Sequence, residues 1–441
     1  MKIGFFTIGC KVNQYETQSL REHFVARGYI PVAEGETADV YVINTCTVTN
    51  LADRKSRQYI RRAKKNNPDA VIAVMGCFVQ ANPQEAMEME DIDILAGTNE
   101  KSKLPDYVAE FIANKNEKIS HIKAMEDLLD YEETGIVTSM DSRTRAYIKI
   151  QEGCDRFCSY CIIPYARGGI RSRVEEEIID EAAGLLDQGF KELVLTGINT
   201  ALYGREGEIS GANHKLERLL GRLSDLPGNF RIRLGSLEPT VVNVEGAKRL
   251  LQFPKLCHHL HLSLQSGSLQ TLQRMNRHYH PDEYKEIVRV LRQEDMHYGL
   301  TTDIIVGFPG ETEEEFSETL ALVKNIGFLK VHVFPYSKRK GTPASEMPDQ
   351  ISTEIKKERS ARLAKTAKAT TISTLTQMIG TRRPVLFEEY DEVNRVISGF
   401  TDNYVRVHCA AETPDHAQKH MNQIADVCIK TVYNEGVRGR L

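Results

Sequence analysis

The sequence predicts an α/β protein in three parts: an N-terminal α/β domain on a parallel sheet, a central array of six strand–helix units, and a small C-terminal β-barrel. Three observations carry this prediction. Residues 1–115 alternate short apolar runs with helical patterns, the signature of parallel βα units. Residues 143–375 repeat that alternation six times. Beyond Gly380 the helical pattern stops, and short β runs separated by turn residues follow over 376–441.

In the first part, residues 2–8 form an apolar run. Residues 14–27 place Leu20, Phe24 and Val25 at helical spacing and close at Gly28. Residues 40–43 and 70–75 read as further strands and 51–65 as a second helix, with another helix after Asn82-Pro83. Residues 116–142 are polar and acidic and read as a linker with one short helix. The six middle strands are expected at 147–150, 193–195, 230–234, 260–264, 300–306 and 331–334. Helical patterns such as 175–187 and 282–292 lie between them. A last helical pattern, 352–378, leads to strands at 384–387, 395–397, 404–408 and 426–432.

Bulk properties narrow the function classes. The chain has 441 residues and a formal net charge of -4, so it is not a generally basic nucleic-acid binder, and RNA contact must come from local patches. No apolar run is long enough to span a membrane, which needs about 20 residues. The first residues lack the long apolar core and small-residue cleavage site of a signal peptide. Nine cysteines in a chain of this size point to metal binding in a reducing cytoplasm rather than to a disulfide framework.

Three of those cysteines fall together in Gly153-Cys154-Asp155-Arg156-Phe157-Cys158-Ser159-Tyr160-Cys161. Clustered thiolates select zinc or iron–sulfur clusters over hard cations. Structural zinc wants four ligands, and the nearest histidines, His121 and His214, are distant in sequence. A cubane on three cysteines would leave one iron open to a small molecule. Zinc completed from elsewhere, or a metal-free loop, are the alternatives. Three further cysteines, Cys10, Cys46 and Cys77, each stand just past an expected strand end, beside Gly9, Thr45 and Gly76. Carboxyl ends of parallel strands line one crevice, so these three converge in space. They would hold a second three-cysteine cluster or be small buried core residues.

The Cys-x₃-Cys-x₂-Cys spacing resembles the signature of the radical S-adenosylmethionine (SAM) superfamily. The stretches Ile8-Gly9-Cys10-Lys11-Val12-Asn13-Gln14-Tyr15-Glu16, Asn44-Thr45-Cys46-Thr47-Val48-Thr49-Asn50 and Met75-Gly76-Cys77 resemble the radical SAM methylthiotransferases. The likeness runs over essentially the whole chain. It implies two 4Fe-4S clusters. Cys154, Cys158 and Cys161 would hold the one that binds SAM, and Cys10, Cys46 and Cys77 the auxiliary one. It also implies that residues 143–375 are a radical SAM partial (βα)6 barrel with its active site at the carboxyl ends of the strands. The C-terminal stretch resembles the TRAM domain, an RNA-binding barrel. The domains expected are therefore 1–115, a linker 116–142, 143–375 and 376–441.

Candidate cosubstrate contacts sit after the barrel strands: Gly197, Asn199, Ser236, Glu238, Gln265 and Gly307. Glycines there let backbone approach a ligand, although each also has a plain turn reading. Candidate RNA contacts begin with the basic stretch 54–65, where Arg54, Arg57, Arg61 and Lys65 share one helical stripe beside Arg62. Arg382 and Arg406, with Phe400 and Tyr404, offer charge and stacking in the C-terminal part. Arg274, Arg277, His278 and His280 are a further candidate patch. His259 and His261 share one strand face, so they read as barrel-interior histidines, with His258 on the other face. Cys257, Cys409 and Cys428 read as ordinary thiols.

The resemblance implies a tRNA methylthiotransferase that inserts sulfur and a methyl group at C2 of adenosine 37. An adenine C2–H is neither acidic nor electrophilic, so radical chemistry is required. Within the family, the residues around Cys10 and Cys46 look most like the branch acting on N6-threonylcarbamoyladenosine. Its carboxylate suits a cationic site, with Lys11 and Arg54 as candidates. The alternatives are the isopentenyladenosine branch, the branch modifying a ribosomal-protein aspartate, and a non-catalytic iron–sulfur RNA-binding protein. Expected partners are tRNA and a flavodoxin- or ferredoxin-type electron donor, with no membrane.

Overall fold

The computed structural model describes residues 1–114, 117–138, 144–207 and 214–441. Its first layer is a parallel sheet of β1 (Lys2–Thr7), β2 (Ile30–Pro31), β3 (Val40–Thr45), β4 (Val71–Gly76), β5 (Ile94–Ala96) and β6 (Ile119–His121), in the order β2-β1-β3-β4-β5-β6. β3 and β4 are buried at every position, as expected of parallel strands covered on both faces. Ile43, Val74 and Leu95 pack on one side of the sheet, and Val42, Ala73 and Met75 on the other. Helix α1 (Lys11–Ala26) leaves β1 at Cys10, and α2 (Asn50–Asn66) starts at the Thr49 cap. The short α3 (Cys77–Ala81) follows β4 directly.

The stretch expected to be a linker is built into this domain. Ile119–His121 pairs with β5, so it closes the sheet. The expected short helix is a single 3-10 turn, Met125–Asp127. Beyond it, Leu128 and Val137 are buried, and Glu132 accepts from the Ser102 backbone at 2.8 Å. Polarity misled the reading here because Glu132 is buried and bonded to Ser102, while Glu126, Asp127, Asp130 and Glu133 stay exposed on the surface of a packed segment.

The central part has the six expected parallel strands in two sheets. β7 (Arg145–Lys149), β10 (Glu192–Thr196) and β11 (Arg231–Leu234) form one. β12 (Ser236–Leu237), β13 (His259–Leu262), β14 (Gly299–Val306) and β15 (Lys330–Pro335) form the other, and β11 runs into β12 through Gly235. A two-residue pair, β8 (Gln151–Glu152) with β9 (Arg171–Ser172), brackets the cysteine loop. Among the described residues no ladder joins β7 to β15, so the array is an open barrel.

Side-chain alternation sorts the barrel into an apolar outside and a polar inside. Ala146, Ile148, Leu193, Leu195, Ile232, Leu260 and Leu300 belong to the outer core, which the helices cover. Their neighbours Arg145, Tyr147, Glu192, Arg233, His259, His261, Thr301 and Asp303 therefore face the lumen. A long helix, Thr353–Gln377, leads into the closed C-terminal barrel β16 (Arg382–Asp391), β17 (Val396–Thr401), β18 (Arg406–Ala410), β20 (Gly436–Arg440), β19 (Ile424–Tyr433). Its last strand was not expected from the sequence, because Gly436-Val437-Arg438-Gly439-Arg440 carries only one apolar side chain.

The C-terminal barrel closes the amino-terminal end of the central strands. Arg231 and Arg233 donate to Phe400 O and Asp402 O at 3.0 Å each, and Arg145 pairs with Glu388 at 2.5 Å. Tyr404 packs 4.7 Å from the His259 ring and under Arg233. Phe400 and Tyr404, expected as stacking surfaces for RNA, are thus turned toward the barrel floor.

Candidate active site

β1, β3 and β4 lie side by side, and Cys10, Cys46 and Cys77 follow their carboxyl ends. Two glycines set the cysteines in place. Gly9 has φ +115, and a Cβ there would stand 3.0 Å from Cys46 Sγ. Gly76 has φ 101 and ψ -159, a region open essentially to glycine alone. A Cβ at Gly76 would meet Asn44 Oδ1 at 2.7 Å. Asn13 pins two of the strand ends, donating to Ile8 O at 2.7 Å and Thr45 O at 3.0 Å. Burial pushes the Cys46 thiol up to about 12 and raises Cys77, and the three sulfurs act on one another. Metal coordination removes such protons, since the thiolate is the ligand.

The second triad hangs between β8 and the helix Ile163–Arg167. Cys154 N donates to Gly168 O at 2.9 Å, and Ser159 is tied to Met275 O at 3.0 Å and Arg274 O at 2.7 Å. Phe157 is left-handed at φ 45, and Asn276 holds its carbonyl at 3.0 Å. Arg277 is buried. It donates to Cys158 Sγ at 3.6 Å and Ser263 O at 2.8 Å, and stands 3.5 Å from Glu238. It is therefore no RNA-facing residue, as expected from its sequence neighbours, but part of the cysteine site. Arg274 is spent on Glu315. Burial pushes the Cys161 thiol up to about 12 and Cys154 up as well.

Neither triad gathers all its sulfurs within 4.8 Å of one another, as the ligands of a single ion would. Tetrahedral zinc would bring thiolates to roughly 3.8 Å. The wider spacing and the soft donor set fit a polynuclear cluster on each triad, with one metal lacking a protein ligand.

The two triads are joined by a charged group buried from solvent. Arg167 donates through Nε to Cys77 Sγ at 3.1 Å, and through Nη1 to Glu16 at 3.0 Å and Glu152 at 2.6 Å. Lys101 meets Glu16 at 2.6 Å, and Lys149 meets Glu152 at 2.5 Å. These side chains are wholly buried. Despite burial, Glu16 and Glu152 stay below the usual carboxylate range because of Arg167, Lys101 and Lys149. The sequence reading missed this group. Its only trace was proximity, since Glu16 follows Cys10, Glu152 precedes Cys154 and Arg167 follows Cys161.

The expected cosubstrate residues divide. Asn199 Nδ2 donates to Glu238 at 3.2 Å, while its buried Oδ1 has no protein partner. Glu238 also lies 3.3 Å from Arg156. Ser236 is exposed, Gly197 packs on Gln151, and Gln265 turns the chain at φ 63. Gly307 N donates to Glu311 at 2.7 Å, and Lys356 packs over its α-carbon. Of the expected RNA contacts, Arg54, Arg61, Arg62, Lys65 and Arg382 are exposed. Arg57 pairs with Glu85 at 2.7 Å, and Arg406 pairs with Glu389. Thr47, Asn50 and Asp53, just past Cys46, are clamped by Arg339, each at 2.7 Å.

Known proteins match this arrangement. Residues 2–97 fit the model of the Uncharacterized protein family UPF0004, and residues 148–323 that of the Radical SAM superfamily. The threonylcarbamoyladenosine tRNA methylthiotransferase MtaB of Bacillus subtilis (strain 168) is 42% identical over 410 residues, 92% of this chain and 89% of that protein. The MtaB of Thermotoga maritima is 37% identical over 432 residues, 98% of this chain and 95% of that one. A tRNA-2-methylthio-N(6)-dimethylallyladenosine synthase of Caldicellulosiruptor saccharolyticus is 36% identical over 416 residues, 92% of this chain and 86% of that one. Among solved structures, the radical SAM methyltransferase TsrM of Kitasatospora setae shares the fold with TM-score 0.58 at 13% identity, covering 78% of this chain and 73% of that one. The chain belongs to the radical SAM tRNA methylthiotransferase family.

Proposed function

We propose that this enzyme methylthiolates C2 of N6-threonylcarbamoyladenosine at position 37 of tRNA. One observation carries the choice of substrate within the family. The barrel lumen is lined by Arg145, Glu192, Arg233, His259, His261, Thr301 and Asp303, so it offers charge and hydrogen bonds rather than an apolar slot. A prenyl group would gain nothing there, whereas a threonylcarbamoyl group brings a carboxylate, a hydroxyl and two amide N–H groups. The MtaB relatives act on that substrate by name.

The cofactors supply the hard chemistry: SAM and an iron–sulfur cluster on Cys154, Cys158 and Cys161 provide a radical, and a second cluster on Cys10, Cys46 and Cys77 provides sulfur. The chain itself binds and orients. Asn199 and Glu238 stand at the strand ends to receive SAM, with the buried Asn199 Oδ1 as a free acceptor. Arg277 and Arg167 hold one sulfur of each triad. The exposed Arg54, Arg61, Arg62 and Lys65 on α2 receive tRNA phosphates. A flavodoxin- or ferredoxin-type carrier delivers the electron. No two of the nine cysteines pair in a disulfide, which suits a reducing cytoplasm.

Mass spectrometry of digested tRNA from a deletion strain tests this. Expected is loss of 2-methylthio-N6-threonylcarbamoyladenosine with its unthiolated precursor retained. Loss of the isopentenyl derivative instead would move the enzyme to the sister branch, and unchanged tRNA nucleosides would point to a protein substrate.

A further inference from the structure

Among the described residues, Lys11 brings into the barrel lumen a cation with no carboxylate partner. Lys11 is the first residue of α1, beside Cys10, and its Nζ stands 5.7 Å from the centroid of the inward-facing Tyr147 ring. Besides burial, the groups acting on it are Tyr404, Arg233, Arg145 and Glu192, all at the lumen or its floor. It also acts on His332 of β15. The other lumen cations are committed: Arg233 to Glu192 at 2.8 Å and Arg145 to Glu388. Among the described residues, no carboxylate lies within ion-pair distance of Lys11 Nζ.

The same lumen carries a polar wall. His261 shares a hydrogen bond with Thr301 Oγ1 at 3.0 Å and one with Asp303 at 3.1 Å. Polar atoms of His261, Asp303 and His332 lie within 4.8 Å of one another. Lys11 is half-buried, and a partly desolvated cation is where a charge-assisted bond to an anion gains most. Adenine also carries C2 and its N6 substituent on the same edge. A base whose C2 faces the triad of Cys10 can therefore present its N6 substituent to the lumen that Lys11 enters.

We propose that Lys11 binds the carboxylate of the threonylcarbamoyl group, with His261 and His332 bounding that end of the pocket. This rests on the substrate reading above. It makes Lys11 a specificity-determining residue, because a prenylated base would leave the cation unpaired.

The test crosses two substrates with three enzymes. Anticodon stem–loop RNAs carry N6-threonylcarbamoyladenosine or its methyl ester, which keeps the shape and removes the charge. The enzymes are wild type, Lys11→Met and Lys11→Arg, each reconstituted and assayed for iron, SAM cleavage and methylthio product. Wild type should lose about 10–100-fold in kcat/KM on the ester, the scale of a hydrogen bond to a charged group. Lys11→Met should lose about as much on the acid and little more on the ester, and Lys11→Arg should restore preference for the acid. Equal turnover of acid and ester by wild type would overturn the proposal. So would a Lys11→Met defect of equal size on both substrates, which would place Lys11 against SAM, the cluster or the RNA backbone. Failure of the substrate reading looks different: wild type would ignore both loops and convert one bearing N6-isopentenyladenosine.

Discussion

Arg167 Nε lies 3.1 Å from Cys77 Sγ, so a side chain from the barrel domain touches a sulfur of the other domain's triad. The same guanidinium bridges Glu16 and Glu152, which flank the two cysteine sites in sequence. One arginine therefore fixes both the distance between the sites and the charge around one of them. Replacing Arg167 by Met leaves two buried carboxylates short of a cation, and breaking such a buried pair costs about 3–5 kcal/mol. Differential scanning calorimetry should show that loss. Arg167→Lys keeps the charge but not the fork, and loses the donor to Cys77. A donor at a cluster sulfur favours the reduced, more negative form. The auxiliary potential in Arg167→Lys should therefore move negative in EPR-monitored titration, while the other cluster keeps its own.

The two triads should be separable by iron content. About eight irons per chain are expected after anaerobic reconstitution. Replacing Cys154, Cys158 and Cys161 together by Ala should leave about half of that and abolish SAM cleavage. Replacing Cys10, Cys46 and Cys77 should also halve the iron, yet leave uncoupled SAM cleavage and no methylthio product. Full iron content in either triple variant would refute that cluster assignment.

Gly76→Ala is a test of how the auxiliary site is built. The backbone at φ 101 and ψ -159 excludes a Cβ, at a strain of about 1–3 kcal/mol, and the added atom would crowd Asn44 Oδ1 and Thr45 O. The simplest relief rotates the turn that starts α3 and carries Cys77 with it. Iron should fall by up to half while circular dichroism stays unchanged.

Much of this was legible from the chain alone. The alternation of β runs and helices located the six barrel strands, because buried parallel strands are apolar and helices between them are amphipathic. The two cysteine sets stood out because closely spaced or strand-end thiolates suit a soft metal, although each could also be a small buried core residue. The charged group around Arg167 was not, since Glu16, Lys101, Lys149 and Glu152 become neighbours only when α1 packs against β7. Arg277 was misread for a related reason: a basic residue in a polar stretch looks solvated until the fold turns it inward. The docking of Phe400 and Tyr404 on the barrel floor likewise depends on how two domains meet, which periodicity within either domain does not encode.

His258 gives a pH-dependent joint between the barrel and the C-terminal domain. Its Nδ1 lies 2.9 Å from Asp295, which also receives a two-pronged bond from Arg383 at 2.6 Å. The bond to Asp295 raises His258 above its ordinary 6.5, with Asp402 adding to the rise and Arg383 opposing it. A raised value means that the protonated form is favoured by folding. The contribution is therefore fully present below pH 6.5 and lost as pH climbs through the raised value. It is small, because the His258 side chain is 39% exposed. Wild-type Tm should decline across that window more steeply than that of His258→Gln, and the two should converge above it.

Arg339 holds the loop that presents Cys46. Its guanidinium reaches Thr47 Oγ1, Asn50 Oδ1 and Asp53 Oδ2, each at 2.7 Å, from the segment that follows the last barrel strand. Asp53 sits in the first turn of α2, where the helix terminus favours a negative charge by itself, by about 0.3–1 kcal/mol. Losing Arg339 therefore does not strip Asp53 of all support, and the domain should still fold. What is lost is registration: the Cys46 loop is no longer tied to the barrel mouth. Reactions that need two groups held together fall steeply when one drifts by about 1 Å, on the order of 100-fold. Arg339→Ala should keep its iron and its rate of SAM cleavage, yet yield far less methylthio product per SAM consumed. Quantifying 5′-deoxyadenosine and methylthio nucleoside in the same reaction gives that ratio. A proportional fall in both would show that Arg339 supports the barrel as a whole rather than the meeting of the two sites.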